Sequence, residues 1–366
     1  MERPNIPAST RLVTLEIGRF IAAIMVATFH YTGAFEDIRH RVLLGNIFRP
    51  GSIGVDYFFV LSGFVILHVH ARDIGQRQQL GSFLWKRAIR IYPFFWAACL
   101  PMALAAAVSY GRDAGVLQVP GTIYDLLLLP YAGEQLLGVA WSLRHELVFY
   151  AIFGAIIVAP RTGFALFVVW QIASAVIALF VPDIGSHGLL KPFAFSFNVG
   201  FGLGMIAAWG FKHRPTARPI SWILAGGVAI ALLGIRSYLQ VRHMPAHIPT
   251  ITADSVDPIV YAIAFAVLMF GLVCLERLRP LPRFPVLSLL GGSSYFLYLI
   301  HGMVGSVVIR LFNIGALRHV PDVLVFVIML TAAIMLAVAA HVWFERPVLK
   351  ALRGAFRFRP AVAQTE

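Results

Sequence analysis

Charge is scarce in this sequence. Asp, Glu, Lys and Arg make up 13% of its 366 residues, about half the share of a soluble domain. So few charges cannot cover a water-facing surface, which excludes a soluble enzyme. The 59% hydrophobic content excludes a disordered chain. Cysteine is rarer still, and Cys99 and Cys274 both fall inside apolar runs, so neither a disulfide framework nor a zinc site is implied. The sequence contains no HExxH or Asp-rich metal motif and no GxSxG elbow, so no metal is expected. The polar opening, MERPNIPASTRLVTLEIGR, does not read as a signal peptide. Acids are the scarcer charge, 17 against 30 Lys and Arg, leaving a net +13. On an ordinary soluble composition that excess would suggest nucleic acid. On this one no nucleic-acid partner is expected, and the chain reads as an all-α, polytopic membrane bundle.

A helix needs about 20 mostly apolar residues to cross the hydrocarbon. Ten stretches qualify, near 12–33, 53–70, 88–109, 139–159, 163–181, 192–210, 220–239, 258–276, 286–309 and 322–343. The segment 110–138 holds an apolar run, Tyr124 to Pro130, too short to span. Lys and Arg collect on cytoplasmic segments. With the N-terminus inside, nineteen fall on that side and nine outside, which predicts about ten spans and both termini cytoplasmic. Gly200-Phe201-Gly202-Leu203-Gly204 lies within the sixth span, where small residues let helices approach closely, and is read as a packing feature.

Ionisable groups at membrane depth are costly, about 2.5–3.5 kcal/mol each on insertion scales, so those retained are the candidates for function. Arg19 and His30 are eleven residues apart, which puts them within about 20° of one helix face and roughly 16 Å apart along the axis. They are two stations on one stripe. Glu16 lies one turn before Arg19 and suits an ion pair with it; interfacial anchoring and helix packing explain the same three residues equally well. Asp56 opens the second span at a depth like that of His30, where a carboxylate could orient an imidazole. A helix-terminal charge facing headgroups fits it too. The fourth span opens Trp141-Ser142-Leu143-Arg144-His145-Glu146, with Tyr150 one turn after Glu146. Arg144 suits pairing with Glu146 or with a headgroup. Lys86, Arg87 and Arg90 precede or open the third span; Arg87 and Arg90 share a face that could clamp phosphates, and positive-inside anchoring fits as well. His68 and His70 point to different sides of a helix and are not read as a metal pair.

These motifs together resemble the acyltransferase 3 family of integral membrane acyltransferases, from the first span to the end of the chain. Arg19 and His30 match its first-helix signature, and Gly54-Val55-Asp56-Tyr57-Phe58-Phe59-Val60-Leu61-Ser62-Gly63-Phe64 its second-helix motif. Arg87, Arg90, Tyr92 and Pro93 match the start of its third helix, and Trp141-Ser142-Leu143 with Glu146, Phe149 and Tyr150 the next motif. Ser294-Tyr295 with Tyr298, Leu299 and His301, then Phe344-Glu345-Arg346-Pro347, match the last two. The family often has Asp at the place of Glu16, and two adjacent acids where this chain has Glu146-Leu147. Only Glu146 is left for any role such a pair would share. Val148 replaces a Gln common near that motif.

The resemblance implies O-acyl transfer, most often of acetyl, from cytoplasmic acetyl-CoA or another acyl-CoA to a hydroxyl of a carbohydrate or glycolipid, in a bacterial inner membrane among its lipids. His30 would be the general base, oriented by Asp56 or Glu146. Arg19, Lys86, Arg87 and Arg90 would meet the phosphates of CoA, and Trp141, Ser142, Tyr150 and His301 the substrates. Residues 1–350 would form the transmembrane acyltransferase domain and 351–366 a short basic cytoplasmic tail, without the SGNH hydrolase-like domain of some relatives. The same polar stripe would also suit a carrier or flippase for polyprenyl-linked sugars or polysaccharide. A small hydroxylated metabolite is the alternative acceptor.

Overall fold

A computed structural model describes residues 12–110, 119–130, 135–180, 192–193, 195–242, 257–282 and 284–355. The expected tail lies outside them beyond residue 355. Twelve α-helices follow one another: α1 Val13–Ala34, α2 Gly54–His70, α3 Leu80–Tyr110, α4 Val119–Leu126, α5 Ala140–Val158, α6 Pro160–Phe180, α7 Val199–His213, α8 Pro219–Val241, α9 Asp257–Leu278, α10 Pro285–Leu311, α11 Asp322–Ala340 and α12 Arg346–Ala355. No strand occurs among the described residues.

Each of the ten expected spans overlaps one helix, although the sixth, expected from residue 192, is α-helical only from Val199. Eight helical segments among the described residues are long and apolar enough to cross a bilayer; α7, with 15 residues, is shorter than a span requires. The faces turned away from the bundle support a membrane. On α8, Ile220, Leu224, Val228, Leu232, Ile235 and Leu239 recur every three or four residues and are all exposed. Such a stripe suits hydrocarbon and not water. Two expectations shift. The third helix begins at Leu80, eight residues before the apolar run, so Arg87 and Arg90 lie inside it. The short apolar run 124–130 ends a helix of its own, α4, which docks on α3 through Tyr92 Oη to Leu127 O (3.0 Å) and Trp96 Nε1 to Leu126 O (2.8 Å).

The core is aromatic. Phe59, Phe149, Phe153 and Phe201 are buried where α2, α5 and α7 meet, with the Phe149 and Phe201 rings stacked 4.4 Å apart. The glycine stretch of α7 allows that closeness: a Cβ on Gly204 would collide with the carbonyl of Val60 and the amide of Phe64 in α2. Packing is therefore what these glycines do. Glu276 of α9 holds the start of α1, accepting from the backbone N–H groups of Val13 (2.7 Å) and Thr14 (3.0 Å) and from the Thr14 hydroxyl (2.6 Å).

Candidate active site

The first helix meets the tenth. Arg19 Nε donates to Ser294 Oγ (3.1 Å) and Arg19 Nη2 to Gly291 O (2.6 Å), while Glu16 accepts from Ser288 Oγ (3.0 Å). One stripe higher, His30 Nδ1 lies 3.2 Å from His301 Nε2. At about 1.5 Å per residue, Arg19 and Gly291 both sit roughly 9 Å from the start of their helices, and His30 and His301 about 24–26 Å. The two helices therefore run parallel and in register. Each station predicted on α1 finds its partner on α10, and both acids and bases of the first turns are anchored there.

The hydrogen bonds fix the tautomers. His301 Nδ1 donates to Leu297 O (3.1 Å), so its Nε2 is an acceptor. His30 Nδ1 lies 2.9 Å from Val26 O, which only an N–H can satisfy. His30 therefore carries its proton on Nδ1, shared between Val26 O and His301 Nε2, and presents Nε2 as a free lone pair. His301 is buried and His30 exposed.

Below the histidines lies a cavity of about 170 Å³. Its polar wall holds Arg19, Arg87, Arg90, Glu146, Ser142 and Tyr150, with Ser62, Ser294, Tyr295 and Tyr298. Glu146 Oε1 accepts from Ser62 Oγ (3.0 Å) and from the Tyr150 hydroxyl. Ser142 Oγ donates to Val139 O (3.0 Å), so the Tyr298 hydroxyl, 2.7 Å away, donates to Ser142. The Tyr298 ring lies between Phe58 (5.4 Å) and His301 (6.1 Å), so Tyr298 is the side chain common to the cavity and the histidine pair.

The three arginines are held differently. Arg90 donates to Glu345, which is fully buried and also accepts from His341 Nδ1 (2.7 Å); Arg346 Nε in turn donates to His341 Nε2 (3.1 Å). The charge of Arg90 is thus offset. Among the described residues, Arg19 donates to two uncharged acceptors, Ser294 Oγ and Gly291 O. Arg87 Nη2 donates to His70 Nε2 (3.3 Å), and its Nε is buried with no hydrogen-bond partner among the described residues. The cavity sets three guanidinium groups against the single lining carboxylate of Glu146 and keeps one unfilled donor, a set that fits a phosphate.

Other expected site residues lie apart. Lys86 is exposed and does not line the cavity. Trp141 packs in the aromatic core, against Phe197 (5.4 Å) and Phe195 (5.8 Å). Asp56 is buried, and neither carboxylate oxygen has a hydrogen-bond partner among the described residues, so it makes no bond to His30. The orienting contact comes from His301 instead. Arg144 pairs with Asp125 of α4 (2.6 Å), whose other oxygen accepts from Leu136 N (2.7 Å), and so leaves Glu146 to the cavity. His70, Asp73, His341 and Glu345 were not singled out for the site. The only signal for His70 and Asp73 was a spacing of three, which is common in any helix end.

A family model described as an acyltransferase domain matches residues 12–342, and so covers both stations on α1 and the arginines of α3. The chain belongs to the acyltransferase 3 family. It is similar to the exopolysaccharide production protein ExoZ of Rhizobium meliloti, with 26% identity over 327 residues, 86% of this chain and 93% of that protein. Similar too are the acyltransferase MdmB of Streptomyces mycarofaciens, 28% identical over 81% of this chain and 80% of its own, and nodulation protein 10 of Rhizobium leguminosarum bv. viciae, 25% identical over 72% of this chain and 74% of its own. No solved structure matches the chain significantly. The protein is thus a membrane acyltransferase.

Proposed function

We propose that this acyltransferase moves an acetyl group from cytoplasmic acetyl-CoA to a hydroxyl of a surface carbohydrate or lipid-linked glycan, in a bacterial inner membrane. The observation that carries the reading is the free Nε2 of His30, held in one tautomer by His301 and set above a cavity walled by Arg19, Arg87 and Arg90. The one-sided basic charge favours a cytoplasmic location for the end where α1, α3 and α10 begin. CoA then enters there, its phosphates on Arg19 and Arg87 and its thioester reaching toward Tyr298.

In the reaction, His30 Nε2 takes the proton of the acceptor hydroxyl as that oxygen attacks the thioester carbonyl. The carbon–sulfur bond breaks, and the departing thiolate takes the proton back from the imidazolium. The kinship with an exopolysaccharide production protein supports a carbohydrate acceptor. Incubation of purified protein with labelled acetyl-CoA and glycan from the producing cells, read as free thiol and labelled glycan, tests the reading. General-base loss is expected to reduce transfer by about 10²–10⁴-fold in His30→Ala at unchanged expression and thermal midpoint. Normal glycan acylation by that variant would refute it, and thiol release by neither protein would favour a carrier.

A further inference from the structure

Arg87 and Arg90 share one face of α3, yet they are held by different chemistry. Arg90 touches a carboxylate directly. Arg87 is reached by a carboxylate only through an imidazole: Asp73 Oδ2 accepts from His70 Nδ1 (2.6 Å), and His70 Nε2 accepts from Arg87 Nη2 (3.3 Å). No carboxylate lies within 4 Å of the Arg87 guanidinium among the described residues. His70 itself is buried, with its ring edge-on to Phe83 at 4.9 Å, and Asp73 belongs to the turn that follows α2, where its amide donates to His70 O (2.9 Å).

The difference has a physical consequence. A carboxylate against a guanidinium fixes it and cancels its charge; a neutral imidazole nitrogen fixes it and leaves the charge intact. The Asp73 carboxylate holds the His70 proton on Nδ1, which keeps Nε2 an acceptor. Arg87 is therefore oriented toward the cavity as a full cation, with its buried Nε still to be filled. We infer that His70, backed by Asp73, is a positioning residue that presents Arg87 to a phosphate of the acyl donor. The inference rests on the proposed CoA donor and adds what positions Arg87 for phosphate and why it remains charged.

Equilibrium binding of CoA and of pantetheine, which has the same thiol arm without phosphates, to the purified full-length protein in nanodiscs tests this. His70→Ala is expected to weaken CoA binding about tenfold, the value of one well-placed charge-assisted contact, and to leave pantetheine binding within about twofold. His70→Gln supplies a neutral acceptor and stays within about threefold of the parent for CoA. His70→Glu fixes Arg87 but neutralises it, and loses CoA affinity like His70→Ala. A purely structural role predicts a different result: Glu and Gln behave alike, or pantetheine weakens along with CoA, and either outcome overturns the inference. Tight CoA binding by His70→Ala overturns it as well. Parent protein that binds pantetheine and CoA equally refutes the CoA reading itself, independently of His70.

Discussion

Both oxygens of the Glu345 carboxylate are engaged by side chains, and replacing it should be costly in a way that depends on its partner. It is fully buried, with one oxygen accepting from Arg90 and the other from His341, 2.7 Å away. Glu345→Ala strands a cation beside the cavity and leaves the Nδ1–H of His341 without an acceptor. Breaking one side of a buried ion pair costs about 3–5 kcal/mol. Arg90→Met strands the carboxylate instead, with His341 as its remaining donor, and should cost a similar amount. The double variant Arg90→Met/Glu345→Met strands neither charge and loses chiefly the His341 bond, worth about 1–1.5 kcal/mol. The double should therefore be less destabilised than either single variant, with a coupling energy of at least ~2 kcal/mol. Unfolding in mixed micelles of increasing SDS content, followed by tryptophan fluorescence, measures all four proteins on one scale. Additivity of the two single effects to within about 0.5 kcal/mol would show that Arg90 and Glu345 are not coupled, and the assignment of Arg90 as the charge-compensated arginine would fall with it.

Two further comparisons separate tight from open positions. Gly204→Ala should destabilise by at least ~1–3 kcal/mol, because its Cβ meets the α2 backbone, which cannot rotate away. Gly227→Ala on α8, with nothing within 4 Å of the added carbon, should stabilise by up to ~1 kcal/mol of helix propensity. Asp56→Asn should leave the midpoint unchanged or raise it, since neither carboxylate oxygen has a hydrogen-bond partner to lose. Asp125→Ala should destabilise by about 3–5 kcal/mol through the stranded Arg144. A larger loss at Asp56 than at Asp125 would contradict the hydrogen-bond assignment.

The places of the long helices were legible in the sequence because apolar runs of spanning length are long and few, whereas the short α4 was not. The stripe of Arg19 and His30 was legible because both stations lie on one helix, where 100° per residue converts spacing into direction. Its partners were not. Ser294 and His301 lie some 270 residues away, and their motif says nothing of which helix they face. Arg144 illustrates the limit: its nearest acid in the chain is Glu146, yet it pairs with Asp125 on a helix too short to be recognised as a span. The two arginines of α3 show it again. A shared face predicted a joint clamp, but a buried carboxylate from the far end of the chain and an imidazole from α2 divide their roles.

The seal that Glu276 places on the start of α1 sets a schedule for synthesis. The first helix leaves the ribosome before any other, yet its opening amides find their acceptor 262 and 263 residues later, and its two polar stations close against α10 later still. At about 5–20 residues per second, α1 waits roughly 15–60 s for these contacts. During that interval Glu16, Arg19 and His30 sit in the bilayer without their final partners. The nascent chain should be most vulnerable to membrane quality control in that window, and every chain cut before α10 should lack the site altogether. The candidate site is thus among the last features of the molecule to exist, although its first residues are among the earliest made.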